Sequence, residues 1–208
     1  MTERVIVFGG TFDPVHVGHL AIAEQSLERT GTGAVWFVPA NVPPLRAAAV
    51  APAETRLAML RAATAGHPGF LVLDSELRRG GVSYTSETMR ALRDVNPDTD
   101  FVILVGADTA RGVGGWHGAN ELLAREWFLI VNRSGTPSID AAELQRIGLD
   151  PQRTTLLEVM SPPVSASEVR RRVAAGEDIT GMVPGAVAEL ISRRGLYRSV
   201  QPVHNSGG

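Results

Sequence analysis

Cysteine is absent from the 208 residues, and so is lysine: every one of the basic side chains is arginine. Without cysteine there are no disulfides, thiolate nucleophiles or iron–sulfur clusters, and cysteine usage says nothing about redox compartment. The missing lysine excludes a Walker-type phosphate lysine, a Schiff base and a lysine adenylated as a covalent intermediate. Any phosphate clamp must therefore be built from arginine, backbone N–H and histidine. Arginine suits this role because its planar fork meets phosphate oxygens in pairs. Charge imbalance is also missing: the net charge is −2, with no basic tail or stripe, so nucleic acid is not expected as a partner. No apolar run approaches the length of a membrane span, and polar breaks in residues 1–20 argue against a secretion signal. No membrane partner is expected, and a cytoplasmic location is the default. The length suits one domain over residues 1–198, with residues from about 160 to 198 as a C-terminal helical part and 199–208 as a flexible tail.

What is present centres on Val5–Leu20, VIVFGGTFDPVHVGHL. Val5-Ile6-Val7-Phe8 is a nearly continuous apolar run, as in a strand covered on both faces of a parallel sheet. Gly9 and Gly10 follow, then a turn with Thr11, Asp13 and Pro14, then an amphipathic helix opening at His16 and His19. A helix start offers unpaired N–H groups and partial positive charge, and glycine lets an anion approach the main chain. Residues three apart share a helix face, so His16 and His19 can address one phosphoryl group. Gly18 between them is expected to leave a bare patch for a base or ribose. Zinc ligation, or a plain core or capping role, are the other readings of this histidine pair.

The rest of the chain alternates strand and helix patterns. Strands are expected at Ala34–Val38, Phe70–Leu73, Phe101–Val105, Trp127–Val131 and Thr155–Val159. Helices are expected at about Ala53–Ala65, with Arg56 and Arg61 on a different face from Leu57 and Leu60, and at Ser86–Asp94, capped by Thr85 or Ser86. Further helices are expected at Asn120–Arg125, up to Ala175 from a Ser165 or Ser167 cap, and Pro184–Arg193. Ser165 and Glu168 have the spacing of a capping box. The glycine-rich stretch Arg111–Gly118 reads as a mobile loop, and the segment from Ser134 to Arg153 as variable. This alternation predicts an α/β fold, a doubly wound, Rossmann-like parallel sheet. In such sheets ligands bind beyond the carboxyl ends of the strands, at the switch in strand order. Five polar clusters fall at strand ends: Gly9–His19, Asn41–Arg46, Gly106–Asp108, Asn132–Arg133 and Ser165–Arg170.

GGTFDPVHVGH resembles the signature of the nucleotidyltransferases that share an HxGH motif. Over about Val5 to Tyr197 the chain is most similar to the bacterial nicotinate mononucleotide adenylyltransferases. The similarity rests on Pro39–Pro44, Gly81-Val82-Ser83-Tyr84-Thr85, Gly106-Ala107-Asp108, Trp116, Arg133, Val164–Arg170 and Gly195-Leu196-Tyr197. The resemblance implies a reaction of ATP with nicotinate mononucleotide to give nicotinate adenine dinucleotide and pyrophosphate, with Mg²⁺ arriving on the ATP phosphates and no metal held by the protein alone. It implies His16, His19 and Arg170 as catalytic. The ATP side would comprise Gly9, Gly10, Thr11, Phe12, Gly18, Gly106, Asp108, Arg133, Ser165 and Ser167 with those three. The nicotinate mononucleotide side would comprise Gly9, Asn41, Arg46, Tyr84, Thr85, Trp116 and His117, with Trp116 stacked on the pyridine ring and its carboxylate on backbone N–H groups near Thr85 and His117.

This chain departs from the pattern at Leu45, at Ala166 and at Ser134. Trp116 as packing, Arg46 as a surface charge and Asp108 as a helix cap are the structural alternatives. Nicotinamide mononucleotide or phosphopantetheine as acceptor, or a nucleotide-binding regulator without turnover, are the other functional readings. A homo-oligomer is left open. Trp116 is expected to order only when the mononucleotide binds.

Overall fold

The computed structural model describes residues 3–44, 49–133 and 137–198. Leu45, Arg46, Ser134 and the tail 199–208 therefore lie outside the described residues. Among these residues six strands form one sheet: β1 (Glu3–Gly10), β2 (Ala34–Pro39), β3 (Phe70–Val72), β4 (Thr99–Gly106), β5 (Trp127–Arg133) and β6 (Thr154–Val159). All pairs are parallel, in the order β3-β2-β1-β4-β5-β6, so the chain reverses its direction of travel between β1 and β4.

Side chains alternate across the sheet, and the two faces bury separate cores. Ile6, Phe8, Phe37, Leu104, Leu129 and Val159 face one core. It is covered by α1 (Val17–Thr30), α2 (Ala53–Thr64), α8 (Ala166–Ala175) and α9 (Gly185–Arg193). Val5, Val7, Phe101, Ile103, Phe128 and Ile130 face the other. That core takes in α4 (Thr85–Val95) through Met89 and Leu92, α5 (Ala107–Ala110), α6 (Ala119–Arg125) through Leu122, and α7 (Ala141–Arg146) through Leu144.

Several sequence expectations need correction. Gly9 and Gly10 belong to β1, paired with Val38 and Pro39, and do not start the turn. The short helices α3 (Ser75–Arg79) and α7 were not expected. Asp140 caps α7 by accepting from the Glu143 N–H at 2.7 Å, a D-x-x-E signal that the sequence carried. Neither Thr85 nor Ser86 caps α4: the N-cap is Tyr84, without a side-chain bond, and Ser86 Oγ donates instead to the His117 carbonyl at 2.9 Å. Ser165 does cap α8 through the Glu168 N–H at 3.2 Å. The reverse half of the expected box is not formed, because the Glu168 carboxylate is taken by Arg171 and Arg172. The stretch Arg111–Gly118, read as a mobile loop, follows α5 directly and holds a 3-10 turn over Val113–Gly115, with Val113 fully buried as its anchor. Arg56 does not face away from Leu60. It lies on the same helix face, one turn before it, and both are buried.

Candidate active site

β1 delivers the chain to the switch point, and the turn after it is folded by its own side chains. Phe12 adopts φ 48°, which tucks its ring against Gly10, where a Cβ would stand 2.9 Å from the ring. The Phe12 ring is core, edge-on to Phe8 and Phe37, so the side chain expected on the ATP side is not available to a ligand. Nothing comparable covers Gly9, whose Cβ position is open.

His16 is the N-cap of α1, with extended backbone. Its own N–H donates to His19 Nδ1 at 3.2 Å, and the two imidazoles stack with centroids 3.7 Å apart. Since His19 Nδ1 accepts, the proton of that ring is on Nε2, which becomes a fixed donor. Phe12 packs edge-on against the His19 ring at 5.1 Å and holds it. His16 is buried, and burial, reinforced by the nearby Arg133 charge, pulls its pKa down to about 4, so the ring is neutral at pH 7. Gly18 does not offer the expected bare patch. It is buried, and a Cβ there would stand 3.1 Å from His16 Nδ1 and 3.5 Å from the Pro162 carbonyl. Its missing side chain makes room for the histidine, and the inward Nδ1 edge leaves Nε2 as the nitrogen available to a ligand.

The ends of β4 and β5 close in from the other side of the switch. Asp108, exposed on α5, lies 3.6 Å from the Arg133 guanidinium and 3.5 Å from Arg111. Arg111 is held in turn by Glu143 at 2.7 Å. Asp108 is therefore an ion-pair partner and not a plain cap. Asn132 is structural, its amide exchanging hydrogen bonds with Ile139 and donating to Glu158. At the start of α8, Ser165 and Ser167 hydroxyls meet at 3.0 Å, and Arg170 reaches back to donate to the Asp13 carbonyl at 2.6 Å. Thr11, Gly106, Ser165, Ser167 and Arg170 thus fall at one end of the sheet with the histidines.

A second group of loops forms a separate rim. The Asn41 amide donates from its backbone to Ser83 Oγ and from its side chain to the Gly81 carbonyl, both at 2.9 Å. Ser83 N–H returns a bond to the Val42 carbonyl. Tyr84 and His117 lie ring to ring at 4.3 Å, and Thr85 opens α4 beside them. Gly118, at φ 70°, comes so close that a Cβ would stand 2.7 Å from Ser86 Cβ and Oγ. Trp116 packs partly buried against the second core.

Sequence reasoning missed the residues that tie these parts together. Arg56, 1% exposed, donates to the carbonyls of Thr11, Asn41 and Ala51, at 2.7, 3.2 and 3.3 Å. Asp13 accepts from the Val50 and Ala51 N–H groups and from the Tyr197 hydroxyl at 2.7 Å. Burial and the Asp13 contact push the Tyr197 hydroxyl above its usual value. One signal was legible: Arg56 sits in register with Leu60 on an apolar face, and an arginine there needs acceptors.

The family model described as cytidylyltransferase-like matches residues 7–172. A protein of Symbiobacterium thermophilum described as a probable nicotinate-nucleotide adenylyltransferase is 40% identical over 200 residues, covering 93% of this chain and 95% of its own. One from Salinibacter ruber, described in the same words, is 37% identical, with 92% and 96% covered. This chain belongs to the nicotinate-nucleotide adenylyltransferases. Within this nucleotidyltransferase family the fold extends to distant members. The nicotinic acid mononucleotide adenylyltransferase of Plasmodium falciparum complexed with NaAD superposes with a TM-score of 0.78 at 18% identity, covering 94% of this chain and 97% of that one. Among the described residues no three His, Asp or Glu groups cluster to hold a metal. Nor is any helix among the described residues long and apolar enough to cross a membrane.

Proposed function

We propose that the protein joins ATP to nicotinate mononucleotide, giving nicotinate adenine dinucleotide and pyrophosphate, as a cytoplasmic step in pyridine nucleotide synthesis. The observation that carries this reading is the His16–His19 pair, stacked at a strand-to-helix corner with the His19 proton fixed on Nε2. A phosphate oxygen of the mononucleotide attacks the α-phosphorus of ATP in line. The new P–O bond forms as the bond to the bridging oxygen breaks, and that electron pair leaves with pyrophosphate. The attacking oxygen is already an anion, so no base is required, and catalysis is alignment and charge stabilisation.

His19 Nε2–H and His16 would steady the non-bridging oxygens of the α-phosphate as charge builds, aided by the open main chain at Gly9 and the start of α1. A neutral His16 adds a hydrogen bond with no proton to lose during the cycle. Arg170 and Arg133, with Ser165 and Ser167, are assigned to the β- and γ-phosphates, and Asp108 to the adenosine. The acceptor lies along the Asn41, Tyr84–Thr85 and Trp116–His117 rim, with its carboxylate on the N–H groups that open α4. Members of this class generally use a divalent metal with ATP. The donor set here fits Mg²⁺ held by phosphates and water, where it would neutralise triphosphate charge.

Pyrophosphate release is to be measured with nicotinate mononucleotide, nicotinamide mononucleotide and phosphopantetheine in parallel. Fastest turnover with the acid nucleotide is expected. Equal rates with the amide, or none with either pyridine nucleotide, would overturn the reading.

A further inference from the structure

One buried arginine spans the two sides of the proposed site. Pairing of β1 with β2 ends at Gly10 and Pro39, and just beyond it the Ala40 N–H donates to the Gly10 carbonyl at 2.8 Å. One residue further on each chain, the carbonyls turn to a side chain instead. Arg56 Nη1 donates to the Thr11 carbonyl at 2.7 Å, and Nη2 donates to the Asn41 carbonyl at 3.2 Å. The guanidinium thus acts as an extra rung between the phosphate-side turn and the acceptor rim. Its third side is used as well: Nε donates to the Ala51 carbonyl at 3.3 Å, while the Ala51 N–H donates to Asp13 Oδ1 at 3.1 Å. Arg56 is almost wholly buried, so its charge has left water and depends on these carbonyls. The helix that carries it is firmly held. Leu57, Met59 and Leu60 of α2 are buried, and Thr55 Oγ1 accepts from Arg194, the C-cap of α9, at 3.0 Å.

We propose that Arg56 is a positioning residue that sets the ATP side and the acceptor side in register, so that the attacking phosphate meets the α-phosphorus in line. This rests on the reading that ATP lies at the histidine corner and the mononucleotide along the Asn41 rim. Each side also keeps bonds of its own. His16 and His19 hold one another, and Asn41 is bonded to Ser83 and Gly81. Loss of Arg56 should therefore leave each substrate its site and disturb the relation between the two. Shape matters here as much as charge. A planar fork reaches two carbonyls at once, whereas a lysine ammonium is one compact donor centre on a flexible stem.

The test sets kcat against the two separate affinities. Arg56→Met, which keeps an unbranched apolar stem and removes every donor, should lower kcat about thirtyfold, as for a misplacement somewhat under 1 Å. Kd for ATP and Kd for nicotinate mononucleotide, each measured alone by calorimetry, should stay within about threefold of the parent. Arg56→Lys should recover no more than about threefold of the lost rate, and it stands in if Arg56→Met does not fold. In the ligand-free proteins, amide exchange at Asn41 and Ala51 should quicken more than at Val35 and Phe37 inside β2. A parent enzyme inactive on the acid nucleotide would refute the proposed reaction, while the exchange pattern would still judge the bridge. Affinities that weaken as much as kcat falls, near-full activity in Arg56→Lys, or exchange that quickens equally at all four amides would overturn the inference.

Discussion

The two halves of the proposed site are built in opposite ways. The donor corner is local: β1, the Phe12 turn and the first turn of α1 are contiguous, and the decisive hydrogen bond joins His16 to His19. The acceptor rim is assembled from three stretches far apart in sequence, around Asn41, Ser83–Ser86 and Trp116–Gly118, joined by bonds spanning 31 to 42 residues. A local corner can be rigid from the outset because little chain entropy is spent in closing it. A rim made of long-range bonds depends on every partner, so changes far from the ligand should loosen it. The donor half should respond to mutation mainly in kcat, and the acceptor half mainly in KM.

The sharpest break is His19→Ala. It removes a fixed donor aimed at developing charge and should lower kcat by about a hundredfold or more, with ATP affinity nearly kept. Steady-state pyrophosphate release with ATP binding measured in parallel checks this, and matching losses in both would deny the histidine a role confined to the transition state. Next in size is a pH effect on the same corner. His16 is pulled from 6.5 to about 4 by burial and the Arg133 charge, so as the pH falls from 6.5 the unfolded chain takes up the proton before the folded one. Stability contributed by a neutral His16 is thus present above 6.5 and is lost on the way down to about 4, a decline of about 3 kcal/mol. Urea denaturation at pH 7 and 4.5 should show this decline, and His16→Asn should flatten it.

Two glycines sharpen the contrast further. Gly118→Ala meets both a left-handed φ of 70° and the Ser86 side chain at 2.7 Å. It should raise acceptor KM about tenfold and leave ATP KM alone, since αL strain of about 1–2 kcal/mol must be relieved by moving the rim. Gly18→Ala should be milder. Alanine favours the helix, but its Cβ meets His16 Nδ1 at 3.1 Å, and kcat should fall by about fivefold as the imidazole is displaced by a few tenths of an ångström. If Gly18→Ala altered acceptor KM instead, the division into two halves would fail. Initial-rate kinetics with each substrate varied in turn reads all of these.

The donor corner was the readable half. Short, nearly continuous apolar runs marked five strands closely, and β1 fell short by counting its glycines as turn. The histidine pair, Asp108, Arg133 and Ser165 were identified at strand ends, and all come to the carboxyl edge of the sheet. The supporting charges were not. Arg56, Asp13, Glu76 and Tyr197 each look like ordinary surface or turn residues until folding removes their water. A buried polar group reveals its purpose only through its partners, and those lie up to 184 residues away.

What the sequence determined alone was what depends on neighbours along the chain: the apolar strand runs and helix periods, a cap for α8 at Ser165 or Ser167 and, through the absence of lysine, that any phosphate clamp must draw on histidine, arginine and main chain. Only the tertiary structure decided that Gly18 yields its space to His16, that Phe12 is core, and that Asp13 ties the C-terminal Tyr197 to the turn after β1. The reason is physical. Periodicity and capping are short-range and are written in adjacent residues, whereas desolvation and the pairing it demands exist only once distant segments have closed over one another.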